Sequence, residues 1–208
     1  MPECHREIIA EDTEMAVWEI TETESELQHG LSLSPEAIER LSNRKSIIHR
    51  KGYLAIRQLL KSLGVLPKTH QYDKIGAPYL TDGRYISISH TKDVAAVVIS
   101  SNLVGIDLEH YQEKIKRIAP RFLHTSEFQI PKNMSEVIYL THIWTAKEAL
   151  YKLYKKPGLI FNKQLCIRPF KKESAIGIGE VLDQNNTESY LLHFRRFKNY
   201  CLTLATIK

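Results

Sequence analysis

A chain of 208 residues, 43% hydrophobic and 25% charged, has the make-up of an ordinary folded globule, long enough for one domain or for two small ones packed together. No apolar run approaches a membrane span, and Met1-Pro2-Glu3-Cys4-His5-Arg6-Glu7 lacks the apolar core of a signal peptide, so the expectation is a cytoplasmic protein without membrane contact. Cys4, Cys166 and Cys201 are odd in number and far apart, which suggests neither a disulfide framework nor a zinc knuckle. The net charge of +5 and a pI near 9.0 favour an acidic partner without choosing among nucleic acid, membrane surface and acidic protein.

Met15 to Ile20 reads as an opening strand, and Ser34-Pro35-Glu36 starts a helix with a serine cap and a proline in its first turn. A second helix is expected from about Arg44 to Ser62, stopped by Gly64 with Pro67 beyond. Tyr85 to Ser89 and Val94 to Ser100 form a strand pair around a turn from His90 to Asp93. A boundary near Ser101-Asn102 divides the chain into halves, 1–102 and 103–208. The second half opens with a strand from Leu103 to Leu108. It continues with a helix from about Val137 to Tyr154, ended by Pro157-Gly158. Gln164 to Arg168, Ala175 to Leu182, Tyr190 to Phe197 and Tyr200 to Ile207 read as a meander of strands, so the fold class is α+β. No internal sequence repeat is present.

Two segments carry chemistry. In Val104-Gly105-Ile106-Asp107-Leu108-Glu109 the period of two sends both carboxylates to one face of a strand, where two acids repel unless a cation such as Mg²⁺ lies between them. In Trp144-Thr145-Ala146-Lys147-Glu148-Ala149-Leu150-Tyr151-Lys152 the residues Trp144, Glu148 and Lys152 stack along one helix face, joining a third acid to an ammonium. Each segment has a plain structural reading as well. Asp-x-Glu occurs at strand ends that bind no metal, and Glu followed four residues later by Lys stabilises ordinary helix surfaces.

Taken together, Gly105-Ile106-Asp107-Leu108-Glu109 and Trp144-Thr145-Ala146-Lys147-Glu148-Ala149 with Lys152 resemble the two signature motifs of the 4'-phosphopantetheinyl transferases, in their larger, pseudodimeric class. Ile86-Ser87-Ile88-Ser89-His90-Thr91 is similar to the family's Ile-Ser-His-Ser segment. The helix Arg50-Lys51-Gly52-Tyr53-Leu54-Ala55-Ile56-Arg57 resembles the arginine-bearing helix of its first half, and Arg121-Phe122-Leu123 with Glu127 a segment lying between the acidic motifs. The agreement in order and spacing covers about half the chain.

The resemblance implies two similar α/β halves packed as a pseudodimer, with coenzyme A nucleotide contacts in 1–102 and metal and catalytic residues in 103–208. The implied reaction moves 4'-phosphopantetheine from coenzyme A to a serine of an acidic apo carrier protein, releasing adenosine 3',5'-bisphosphate. Asp107, Glu109 and Glu148 would hold Mg²⁺, and Lys152 would neutralise the coenzyme's phosphates; either Glu148 or a water on the metal would take the serine proton. Ser89 and His90 would meet the nucleotide end of the coenzyme. Arg50 and Arg57, two helical turns apart, are both candidates for its 3'-phosphate, because guanidinium groups bind phosphate through paired hydrogen bonds. Where the family often carries Gly-Lys-Pro this sequence has Gly76-Ala77-Pro78, and Lys74 is the cation that would compensate. Trp144 reads as core packing. The implied protein is a monomer that binds no nucleic acid. Two other readings are a carrier-binding relative without catalysis and a basic nucleic-acid-binding module, but all four charged site residues are present and no nucleic-acid motif is found.

Overall fold

The computed structural model describes residues 3–183, 186–197 and 199–208 and shows a mixed α+β protein. It divides into two units, one ending at Asn102 and the other starting at Leu103.

The first unit opens on a hairpin of β1 (Glu3–Ala10) and β2 (Thr13–Glu19). The sequence reading begins its first strand at Met15 and misses β1. The half-buried positions of β1 are Glu3, His5, Glu7 and Ile9, so its period of two is written mostly in polar residues and carries little hydrophobic signal. A five-residue helix, α1 (Glu24–Gln28), is held by a reciprocal capping box between Thr23 and Glu26. Ser34 caps α2 (Pro35–Ser42) through its hydroxyl, with proline in the first turn. The long helix α3 (Ile47–Ser62) follows, ended by Leu63 and by Gly64 at φ +71°.

A small ribbon of β3 (His70–Tyr72) and β4 (Pro78–Leu80) leads into β5 (Tyr85–His90) and β6 (Val94–Ser100). The main sheet of this unit is antiparallel in the order β1-β2-β6-β5. Ile56, Leu59, Leu60 and Leu63 recur at helical spacing on α3 and join Ala16, Trp18, Ile86, Val97 and Ile99 of the sheet in one core.

In the second unit β7 (Val104–His110) precedes α4 (Ile115–Phe122), a single 3-10 turn at Thr125–Glu127, and the longest helix, α5 (Glu136–Tyr154). The short helix α6 (Phe161–Gln164) leads to β8 (Leu165–Ile167), β9 (Ile176–Asp183), β10 (Asn186–Arg196) and β11 (Tyr200–Thr206). The last four strands form the expected meander. The sheet order is β7-β11-β10-β9-β8, antiparallel throughout, so the first strand of the unit pairs with the last. Ile143, Ala146, Leu150 and Leu153 of α5 pack against Val181, Leu192, Phe194 and Ala205 of the sheet. This packing lays α5 across the strand that carries the Asp-x-Glu pair.

Candidate active site

The site is built on the contact of β7 with α5. A Cβ on Gly105 would run into the Ala149 carbonyl oxygen and stand 2.8 Å from the Leu153 amide nitrogen, so glycine lets the strand and helix backbones meet. Because a strand alternates faces, Asp107 and Glu109 leave on the same side as Gly105, toward α5. The other side of β7, with Val104, Ile106 and Leu108, is buried. Thr145 on α5 shares a 2.8 Å hydrogen bond with Thr203 of β11, the register partner of Asp107, which fixes the rotation of the helix over the sheet.

On that rotation Trp144, Glu148 and Lys152 face β7. Lys152 donates from Nζ to Asp107 Oδ1 at 2.8 Å and to the Ile106 carbonyl at 2.9 Å. Asp107 is buried, so this ion pair is well shielded from solvent on its acidic side. Burial pushes the Glu148 carboxyl up to about 7; the nearby Asp107 and Glu109 charges raise it as well, and Lys152 opposes them. Glu109 is also raised, by burial first and by Asp107 second, against the pull of Lys114, Lys152 and a hydrogen bond from Trp144. Three carboxylates therefore feel one another's charge across the strand–helix seam. Among the described residues no three such side chains are drawn together as a ready coordination shell. Hard carboxylate oxygens gathered from one strand face and one helix face are nevertheless a donor set that suits Mg²⁺.

Trp144 does more than fill core space. Its ring packs 5.1 Å from Phe122 and 5.7 Å from Phe161, centroid to centroid, while its indole N–H reaches Glu109. Aromatic packing thus holds a donor on one of the acids.

Lys147, between these residues in sequence, turns the other way. It is fully buried and forms a 2.7 Å ion pair with Glu127, itself fully buried, and donates to the carbonyls of Phe122 and Phe161 at 2.6 and 3.2 Å. Glu127 accepts the backbone N–H groups of His124 and Ile167 at 2.8 and 2.7 Å. Every charge in this cluster is matched. The sequence signals for it are a lysine in the middle of an otherwise apolar helix face and Glu127 in the segment between the acidic motifs.

In the first unit, Ser89 is buried and His90 is exposed at the end of β5. The His90 ring lies over Gly52 of α3, where a Cβ would stand 2.7 Å from Nδ1, and makes an edge contact with His49 at 6.3 Å. His90 therefore reaches the early turns of α3, the part of the helix that carries Arg50. Arg50 itself donates to Glu24 at 2.8 Å and to the carbonyls of Arg44 and Lys45. Arg57 lies apart from that group. It is 9% exposed, donates to the Tyr53 and Tyr72 hydroxyls at 2.6 and 3.3 Å, and stacks on the Tyr53 ring at 3.7 Å. Lys74 is exposed in the β3–β4 turn, where the Asp73 carboxylate accepts the N–H groups of Ile75 and Ala77 and Gly76 takes φ +85°.

The strand–helix acid site has a family. Residues 103–205, the second unit nearly whole, match the family model of the 4'-phosphopantetheinyl transferase superfamily, and the chain belongs to that superfamily. It is 30% identical over 111 residues to the 4'-phosphopantetheinyl transferase gsp of Aneurinibacillus migulanus, covering 50% of this chain and 47% of that protein. It is 29% identical over 133 residues to enterobactin synthase component D of Salmonella typhi, covering 61% and 56%. The chain spans about half the length of the curated relatives it matches.

Proposed function

We propose that this protein transfers 4'-phosphopantetheine from coenzyme A to a serine of an apo carrier protein of fatty-acid, polyketide or peptide synthesis. The observation that carries the reading is the seam of β7 and α5, where Asp107, Glu109 and Glu148 face one another beside Lys152. Family membership supports it, as does the relative from Aneurinibacillus migulanus, whose name states the activity.

The serine oxygen attacks the phosphorus on the pantetheine side of the coenzyme's pyrophosphate; the bond to the bridging oxygen breaks and adenosine 3',5'-bisphosphate leaves. No covalent enzyme intermediate is required, so the protein's task is positioning and charge stabilisation. Mg²⁺, held by Asp107, Glu109 and Glu148, would supply positive charge against the pyrophosphate when bound. Lys152 offers its ammonium to the same phosphates from its place beside Asp107. Trp144 holds the Glu109 carboxylate in place. Glu148, whose carboxyl burial pushes up to about 7, is suited to take up the serine proton. Ser89, His90 and Arg50 serve the nucleotide end of the coenzyme, with Lys74 in place of the lysine that Ala77 replaces. No helix among the described residues is long and apolar enough to cross a membrane.

The test is chromatographic detection of adenosine 3',5'-bisphosphate. With coenzyme A, Mg²⁺ and a panel of apo carrier proteins, the nucleotide should form only when a carrier is present and stop when the metal is chelated. A folded protein that releases none with any carrier would end this reading.

A further inference from the structure

The first unit has an open pocket of about 440 Å³ lined by the segment before α2, α2 itself, the later turns of α3 and strand β3. That size falls within the range of small-molecule sites. Its polar wall is made by Arg40, Arg57, Tyr53, Tyr72 and His70. Arg40 stacks on the Tyr72 ring at 4.2 Å, and Arg57 and Arg44 stack on the Tyr53 ring at 3.7 and 4.1 Å.

Three guanidinium groups thus share two tyrosines, and among the described residues none of the three has a carboxylate partner. Their crowding is felt electrostatically, since Arg57 and Arg40 help burial to lower Arg44. The one acid on the wall, Glu36, is engaged by its own backbone N–H and by Ser34. His70 adds an Nε2 atom that is buried and without a hydrogen-bond partner. Burial, followed by Arg57 and Arg40, lowers His70 to about 3, so the ring is neutral and can present an N–H. Leu31, Leu33, Leu60 and Val65 make the opposite, apolar wall.

Clustered, partly buried cations without carboxylate partners and an unsatisfied ring nitrogen are costly in an empty protein and favourable around an anion. We propose that this cavity binds an organic anion, a phosphate or carboxylate group carried on an apolar body, at a site separate from that of the coenzyme. Arg50, Lys74, Ser89 and His90, assigned to the coenzyme, do not line it; Arg57, which the sequence offers as a 3'-phosphate candidate, does. Arg40, Arg57 and His70 take the charged head, and the leucine wall takes the body.

The experiment is calorimetric titration of the full chain with phenyl phosphate, and with benzyl alcohol as the uncharged comparison. Saturable one-to-one binding of phenyl phosphate alone is expected, weakened at least about tenfold in Arg40→Gln, a half-buried position, and similarly in His70→Phe. Saturating coenzyme A should leave the affinity for phenyl phosphate within about twofold. The proposal is overturned if the wild type does not bind, if benzyl alcohol binds as well, if both variants bind unchanged, or if coenzyme A displaces the probe. None of these results depends on carrier modification, so the transferase reading stands or falls separately.

Discussion

Gly105 and Ala149 touch backbone to backbone. A Cβ at Gly105 would overlap the Ala149 carbonyl oxygen and crowd its carbonyl carbon at 3.0 Å, and no rotamer change relieves a clash with a main chain. The distance between the acids on β7 and Glu148 on α5 is set by this contact. Gly105→Ala should therefore lower stability by about 2–3 kcal/mol, the upper range for overpacking, and reduce carrier modification beyond what the unfolded fraction explains. Urea unfolding and a rate measured at a temperature where the variant is folded check this. Wild-type stability in the variant would show that the seam has slack.

The Glu127–Lys147 pair predicts an asymmetry. Removing one partner strands a charge that is fully buried, so Lys147→Met should cost about 3–5 kcal/mol. Adding Glu127→Leu to it should return part of that loss, because two apolar residues can replace a buried pair with less penalty than one orphan. A double-mutant cycle by chemical denaturation measures the coupling; additive losses would contradict it.

Trp144→Phe separates packing from hydrogen bonding. Phenylalanine keeps a ring against Phe122 and Phe161 and removes the indole N–H from Glu109. A hydrogen bond to a charged group contributes about 1.5–3 kcal/mol, so turnover should fall roughly tenfold or more if Glu109 needs that anchor. More metal should be required for half-maximal rate. Unchanged kinetics would return Trp144 to a purely structural role.

His142 predicts acid sensitivity. It is fully buried, its Nδ1 bonds the Ile138 carbonyl at 2.8 Å, and its Nε2 lies 3.0 Å from Arg196 Nε, an arrangement that fits the neutral ring. Burial lowers it from 6.5 to about 4, with Arg196 adding to the fall and the Ile138 bond opposing it. Between those values the unfolded chain takes up a proton that the folded chain does not. Stability is thus complete above about pH 6.5 and declines as the pH falls to about 4, by about 3 kcal/mol at the limit. Unfolding curves at pH 7.5, 5.5 and 4.5 should show a steeper decline for the wild type than for His142→Leu. Parallel declines would assign the acid sensitivity to other groups.

Periodicity made much of this fold readable. The alternation in Val104 to Glu109 and the four-residue spacing of Trp144, Glu148 and Lys152 place the charged residues on facing surfaces, because strand and helix periods are local properties. Elements whose signal is not local were lost. Strand β1 turns polar residues inward, and α4 hides Ile115, Ala119 and Phe122 among basic residues and Pro120. The partners of side chains were harder still. Arg50 and Arg57 share a helix face, yet one meets Glu24 of α1 and the other Tyr53 of its own helix and Tyr72 of β3, since elements outside the helix decide what covers each turn. The pairing of Lys147 with Glu127 spans a separation that no spacing rule encodes.

The most direct measurement is the intact mass of an apo carrier protein after incubation with coenzyme A and Mg²⁺ and either the wild-type protein or Asp107→Asn. Asparagine keeps the size of the buried side chain and removes its charge, so the fold should persist, as circular dichroism can verify. The account predicts that the wild type adds one phosphopantetheine mass to the carrier and that the variant is slower by at least about a hundredfold. Equal modification by the two proteins would contradict the assignment of the reaction to the β7–α5 seam.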